Sequence, residues 1–307
     1  MMDSVIYLIA GTLAAATPLL FAAMGEAVVE KTGVLNLSIE GMMAVGAATG
    51  FVVATVTGNY VMGFAIAALA SAVLSLIFAC LVLVFLANQV AAGLAIGILG
   101  LGSSVLIGKN YEGKTIDPID SLDLGWLSEL PFIGPVLFSL DLMVYAGMAM
   151  VIVTWLVLSH TKLGLIIRAV GESPKAANAI GYRVIAIRLI AIVFGGAMAG
   201  IGGAYLTLGY TPLWAEGLVA GRGWIVVALV VFGMWRPLRI ALGAYLFGAV
   251  SLLELFIQAQ GFAIPSQLMS ALPYIITIII LAVISRNPRL IRLNHPASLG
   301  QPYARDA

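Results

Sequence analysis

The sequence predicts an all-α fold: a polytopic transmembrane helical bundle of about 8–10 spans, with discontinuous helices and a hint of an internal inverted repeat. Three observations predict it. Of the 307 residues, 62% are hydrophobic and only 9% charged, with a mean hydropathy of +1.10, whereas soluble domains carry about 25% charged residues. Apolar runs of roughly 17 to 25 residues, the length a helix needs to cross a bilayer, recur along the chain. Basic and acidic residues also fall in different loops, as the positive-inside rule asks of a threaded chain. The net charge of +1 gives no reason to expect nucleic acid or an acidic substrate. The single cysteine, Cys80, excludes an internal disulfide.

The first apolar run lies near 5–24. Met1 to Ala16 carry no Lys or Arg, so it reads as a retained span rather than a cleaved secretory signal. Further spans are expected near 39–57, 61–86, 88–108, 139–160, 184–208, 223–235, 238–258 and 267–285. The span at 223–235 is short and the break at 86–88 is thin. Basic residues orient the set: the loop 161–183, the turn with Arg236 and Arg239, and the tail with Arg286, Arg289 and Arg292 are expected in the cytoplasm. The loop Lys109–Phe138, with five acids against two lysines, is expected outside. One alternation satisfies all of these, with the N-terminus outside and the C-terminus inside. The chain thus reads as a single transmembrane domain, 1–290, with an external loop at 109–138 and a cytoplasmic loop at 161–183, followed by a cytoplasmic tail, 291–307.

Two hydrophobic segments are interrupted in similar ways. Thr17-Pro18-Leu19 precedes Gly25-Glu26 and Gly33-Val34-Leu35-Asn36-Leu37; Thr211-Pro212-Leu213 precedes Ala215-Glu216-Gly217 and Gly221-Arg222-Gly223-Trp224. Glycine and proline breaks at matching points of two halves suggest discontinuous helices around a pathway. The cytoplasmic stretch from Thr161 to Arg188 holds five of the fifteen basic residues against one acid, Glu172. Within it a short helix has both ends marked: Ser173 as N-cap, Pro174 at the first helical position, and Gly181 as the left-handed stop. A helix this short cannot bury a core of its own and is placed to be gripped by a soluble partner. Ala176, Ala177 and Ala179 would give that partner a small, smooth surface. The plain alternative is a solvated basic loop.

Ionisable and amide groups inside apolar runs are costly and usually face the bundle interior. Asn36, Glu40, Asn88, Gln89, Glu254 and Gln258 are such groups, with Asn36/Glu40 and Glu254/Gln258 each four apart on one helix face. They suit a polar path for a small hydrophilic solute, or interhelix hydrogen bonding. Glycine pairs at 46/50, 93/97 and 196/200 suit close helix packing. Trp126, Trp155, Trp214, Trp224 and Trp235 fall near span ends, as interface anchors would. Gly108 to Thr115 spells the phosphate-loop pattern G-x-x-x-x-G-K-T, but it follows a membrane helix and precedes Asp117-Pro118 rather than linking a strand to a helix, so it is set aside. Two histidines, His160 and His295, form no metal-ligand or catalytic spacing with other residues, so no enzyme is expected.

The segment Gly171-Glu172-Ser173-Pro174-Lys175-Ala176-Ala177-Asn178-Ala179-Ile180-Gly181 resembles the cytoplasmic coupling loop of ABC importer permeases, in the branch serving branched-chain amino acids, ribose-type sugars and nucleosides. Thr17-Pro18-Leu19-Leu20, Gly25-Glu26 and Gly33 through Met42 resemble the N-terminal block of the nucleoside-type permeases. Asn88-Gln89-Val90 with Gly93-Leu94-Ala95, and the tail from Leu272-Pro273-Tyr274 to Arg286, resemble further shared blocks. The resemblance covers nearly the whole chain.

That resemblance implies a permease subunit that binds no cofactor itself. ATP and Mg would sit on a separate cytoplasmic ATP-binding subunit, gripping Gly171, Glu172, Ser173, Pro174, Lys175, Ala176, Ala177 and Gly181. It also implies a second related permease subunit as a heterodimer partner, an extracytoplasmic substrate-binding protein and a place in the bacterial inner membrane. Substrate would pass Asn36, Glu40, Asn88, Gln89, Trp224, Glu254 and Gln258, with Tyr205, Tyr210 and Trp224 able to stack on a base. Two readings stand beside nucleoside import: a sugar or branched-chain amino acid permease of the same architecture, and a stand-alone ion-coupled secondary transporter using Glu254 as proton carrier.

Overall fold

The computed structural model describes residues 2–122, 125, 133–259 and 294–304, with isolated positions between 271 and 279. The expected span at 267–285, Trp126 and the arginines at 286, 289 and 292 lie outside the described residues, as does most of the tail block from Leu272 to Arg286. Eleven helices follow in order among the described residues: α1 (Met2–Lys31), α2 (Ile39–Thr57), α3 (Tyr60–Ala79), α4 (Gln89–Gly108), α5 (Ile133–Leu137), α6 (Leu142–His160), α7 (Lys162–Glu172), α8 (Pro174–Ala179), α9 (Val184–Tyr205), α10 (Arg222–Phe232) and α11 (Pro237–Ala259). A π turn prolongs α3 to Val84 and another prolongs α9 to Tyr210. Seven helices are long and apolar enough to cross a membrane; α10 is shorter. Two isolated β-bridges, Thr115 with Leu213 and Ser121 with Asp141, complete the regular pairing among the described residues.

Local chemistry starts many of these helices. The side chains of Asn59, Asn88, Asp141, Thr161 and Ser173 each accept a hydrogen bond from a backbone N–H in the first turn that follows, satisfying donors that the helix itself cannot. The N-cap, first-turn proline and left-handed glycine expected around α8 are all present, Gly181 at φ +97°.

The first run extends further than the expected 5–24. Helix α1 continues through Pro18 to Lys31, and Thr17 Oγ1 donates to the Leu13 carbonyl beside the proline. Membrane helices tolerate such a proline because neighbours and hydroxyls take over the freed backbone groups. The true interruption comes later, at 32–38.

Helices α1, α2, α3, α4 and α9 form the centre, and glycines set how closely they cross. A Cβ on Gly46 would lie 2.4 Å from the Gly200 carbonyl oxygen, one on Gly203 1.9 Å from that of Met43, and one on Gly41 2.3 Å from that of Gly97. Backbones this close exclude any larger residue. The expected role of glycines 46, 50, 93, 196 and 200 in packing is thus met: a Cβ on any of them would lie under 3.0 Å from a neighbouring helix or from Leu37.

The two ends of the bundle differ. At one end the tail 294–304 folds back over the helix termini: Lys31 Nζ donates to Asn294 O, Ser298 to Gly171 O, Gln89 Nε2 to Gln301 O, and Arg188 Nη2 to Ser298 Oγ. The opposite end is closed by segment 111–122, where Tyr60 donates to Asp117 O and Leu122 N to Leu140 O. Arg168, Lys175, Arg183, Arg236 and Arg239 are exposed at the first end; Glu112, Asp117, Asp120 and Glu216 belong to the second. The segment 108–115 forms a helix end, a 3₁₀ turn and a bridge, not a strand-to-helix phosphate loop.

Candidate functional site

Helix α10 has 11 residues, about 16 Å, roughly half the thickness of a bilayer core. Its N-terminus is met by Glu40 from α2. The carboxylate accepts from Gly221 N at 2.6 Å through Oε1, and from Gly223 N at 2.6 Å and Trp224 N at 3.3 Å through Oε2. A helix N-terminus leaves its first amides unsatisfied and carries a partial positive charge. Here a carboxylate from a distant helix supplies the cap, and it lies 4% exposed. The local sequence permits this. Gly221 adopts φ +81°, and a Cβ on Gly223 would lie 2.4 Å from Glu40 Cα.

This contact sits deep along the bundle. Gly41 packs against Gly97 and Gly100 of α4, roughly 12 to 17 Å from the start of α4 at Gln89. Segment 32–38 therefore climbs alongside α4 before α2 begins. Two side chains pin it. Gln89 Oε1 accepts from Leu35 N at 2.7 Å, and Asn36 Oδ1 accepts from Ser38 N at 3.1 Å while its Nδ2 donates to Glu26 Oε2 at 3.3 Å. The two interruptions read in the sequence, 33–37 and 221–224, thus converge on Glu40.

Beside the capped terminus lies a cavity of about 520 Å³ between α2, α4 and segment 214–221, within the size range of small-molecule sites. Glu40, Ser104, Trp214, Glu216 and Trp224 are among its lining residues. Trp224 is 43% exposed, while Trp214 is buried with its indole against Gly108.

Of the residues expected along a solute path, Glu40 and Trp224 line this cavity. Asn36 and Gln89 lie below it, holding segment 32–38, and Asn88 caps α4 through Ala91 N. Glu254 and Gln258 sit together on α11, where Gln258 Nε2 donates to Glu254 Oε1. Tyr205 is fully buried and donates to Asp141 Oδ2 at 2.6 Å. Two of the five tryptophans read as interface anchors, Trp214 and Trp235, are instead buried at 3% exposure.

Two further carboxyls lie outside the residues expected along a solute path, Glu26 of the Gly25-Glu26 break and Glu30. Glu26 and Glu30, on consecutive turns of α1, are buried; Glu26 meets Asn36, and Glu30 accepts from Trp235 Nε1. Each keeps a second buried oxygen with no hydrogen-bond partner among the described residues. Their signal was an i, i+4 acid pair following an apolar run, hidden by ending that run at 24.

At the basic end, α8 stands beyond α7. Ala176, Ala179, Glu172, Ser173, Lys175 and Gly181 are exposed, and Pro174 is half-buried. Ala177 is not part of that outer surface: it is 2% exposed and packs with Val170 and Val184, because one turn of helix must turn one face to its support. Gly171 is also internal. A Cβ there would lie 2.1 Å from the Lys31 carbonyl oxygen, and its own carbonyl accepts from Ser298 N and Oγ.

Residues 8–281 match the family described as branched-chain amino acid transport system, permease component. A Haloferax volcanii protein, provisionally named a glucose ABC transporter permease, is 38% identical over 97% of this chain and 98% of its own. A guanosine ABC transporter permease of Bacillus subtilis is 32% identical over 96% of each chain. A nucleoside ABC transporter permease of Lactococcus lactis is 30% identical over 90% of this chain and 91% of its own. No solved structure matches.

Proposed function

The chain belongs to the branched-chain amino acid transport system permease family and is a multi-pass membrane permease of the ABC transporter class, and on that premise we propose that it carries nucleosides inward across the cytoplasmic membrane by alternating access. The observation that carries this reading is the cavity beside Glu40. It lies part-way across the bundle, at the capped end of a half-length helix, and is lined by Trp214 and Trp224. Indole faces suit a purine or pyrimidine, and half-helix ends at mid-depth are where transporters of several folds hold solute. Glu40 has its oxygens taken up by backbone amides and acts as the brace of this site. Names of relatives that include guanosine and nucleoside permeases support the same solute class. A second reading, a hexose, is favoured by the higher identity to the Haloferax volcanii relative.

In this proposal the exposed face of α8, with Glu172, Ser173 and Lys175, fits a groove on a separate ATPase subunit that binds ATP and Mg. The basic end is cytoplasmic by the positive-inside rule, and the acidic end receives a solute-binding protein. A related permease completes the pathway. Movement of the ATPase then displaces α7–α8 and tilts α6 and α9, to which they are joined.

The test is uptake by the assembled transporter in vesicles, with labelled guanosine, adenosine and glucose in parallel. Nucleoside uptake is expected, falling about tenfold in Trp224→Ala and little in Trp224→Phe, as loss of one stacking face would give. Uptake of glucose alone would replace the nucleoside with the hexose. Unchanged uptake in Trp224→Ala would remove the cavity from the path.

A further inference from the structure

A second cavity, of about 510 Å³, lies at the basic end and is distinct from the solute cavity. Its walls bring together four cations from four elements: Lys31 from the end of α1, Arg168 from α7, Arg236 from the turn before α11 and Arg239 from α11 itself, with Trp155 and Trp235 between them. The contacts these cations make are to neutral groups. Lys31 Nζ donates to Asn294 O at 2.7 Å, Arg236 Nε to Asn294 Oδ1 at 3.2 Å, Arg168 Nε to Gly164 O at 3.3 Å, and Arg239 Nη1 to Met234 Sδ at 3.2 Å. Among the described residues none of the four forms an ion pair with a carboxylate. The stretch 260–293, of which only isolated positions are described, contains no acid at all. Two carboxyls lie within electrostatic reach of Lys31. Glu30 is buried and engaged with Trp235 Nε1, and Glu172 is exposed to solvent. Arg168 and Arg236 are also in reach of Lys31, so three like charges are held close together.

The turn that presents two of them is strained. Met234 and Trp235 both have left-handed backbones, at φ 52° and 54°, a conformation unfavourable for bulky residues and kept only where the surroundings enforce it. The Trp235–Glu30 bond and the edge-on contact of Trp235 with His295 supply that enforcement. Rigid presentation of cations that form no ion pair among the described residues is what an anion site requires and what a solvated basic loop does not.

Position selects the class of anion. Three membrane-length helices begin or end at this cavity, at Lys31, His160 and Pro237. Helix α7 beside it buries Gly164 and Val170 yet exposes Leu163 and Leu165 by 65% and 61%, the pattern of a helix lying in a membrane interface. Leu158, buried, and Leu238, exposed, also line the cavity. Cations, indoles and an apolar wall at the level where spans end match a phosphate headgroup with its acyl chains beside it. We propose that this cavity is a binding site for an anionic phospholipid, its phosphate held by Lys31, Arg168, Arg236 and Arg239.

The test uses the assembled transporter in phosphatidylcholine nanodiscs titrated with phosphatidylglycerol, with retained lipid counted by native mass spectrometry. Preferential retention of phosphatidylglycerol is expected, weakened on the order of tenfold in Arg236→Gln/Arg239→Gln. Arg168→Gln, an exposed change that leaves the strained turn alone, is expected to weaken it in the same direction and decides the matter if the double variant does not fold. Arg183→Gln, exposed at the same end but not lining the cavity, is the control. No preference over phosphatidylcholine, or the same preference in the Arg168 variant as in the parent, overturns the proposal. So does displacement of the lipid by inorganic phosphate at equal concentration, which would assign the site to a soluble anion.

Discussion

Glu40 shows how one side chain can hold two interrupted segments together. It satisfies three backbone amides of a helix terminus that borders the cavity, with Gly223 buried and Gly221 and Trp224 partly exposed. Removing it strands the buried Gly223 donor, at about 1–3 kcal/mol, and leaves the other two to water. Glu40→Ala is therefore expected to lower the thermal unfolding midpoint sharply, and Glu40→Gln, which keeps one acceptor, to lower it less. Equal midpoints for the two would show that the cap carries no weight. A pair of glycines makes an independent check. Gly203→Ala places a methyl 1.9 Å from the Met43 carbonyl oxygen, so α2 and α9 must separate, at about 3 kcal/mol or more. Gly102→Ala meets nothing within 4 Å and should leave stability unchanged or raise it by about 0.5–1 kcal/mol. Chemical denaturation in detergent distinguishes them. From sequence, Glu40 could be flagged as an acid in an apolar run, but its amide partners lie some 180 positions away and leave no local mark.

Helix α8 was legible because its stops are local: a hydroxyl N-cap, a proline that fits the first turn, and a glycine free to take the left-handed backbone. Which face it buries was not, since one turn carries no periodicity to read. That face decides how docking should be probed. Ala176→Arg, on the exposed side, is expected to leave the unfolding midpoint of the permease unchanged while ATPase recovered with it falls about tenfold. Ala177→Arg would bury a guanidinium against Val170 and Val184 and destabilise the permease itself. Equal ATPase recovery in Ala176→Arg and the parent would remove α8 from the partner interface. Helix α10 gives the opposite lesson. Its shortness was visible, but only its neighbours reveal that it starts part-way across the bundle beside Glu40. The expected first span, 5–24, stops where Gly25-Glu26 ends the apolar run, whereas the helix continues to Lys31 with Pro18 inside it; inside a bundle, adjacent helices lift the proline penalty.

Across the molecule, the tail 294–304 links ends that are far apart in sequence. It touches α1 through Lys31, segment 32–38 through Gly33, α4 through Gln89, α7 through Gly171 and α9 through Arg188. Ser298 is the junction, donating to Gly171 O and accepting from the buried Arg188. Ser298→Ala removes both bonds, and about 1–3 kcal/mol of local stability should go with them. Faster backbone hydrogen exchange is expected around 31–35, 169–173 and 185–189, with 111–122 at the far end unaltered. Uniform acceleration, or none, would show that the tail is not a strap.

The six spans 39–57, 61–86, 88–108, 139–160, 184–208 and 238–258, the α8 signals, the basic and acidic loops and the family resemblance were all readable in the chain alone. Each rests on run length, composition or a few adjacent residues, which the hydrophobic effect and backbone sterics act on locally. The brace between Glu40 and α10, the partners of the buried Glu26 and Glu30, the inward Trp214 and Trp235 and the tail over Gly171 were not readable. Burial and hydrogen-bond partners there are set by which distant helices come to lie side by side, and glycine-to-glycine contact depths carry no hydropathy signature.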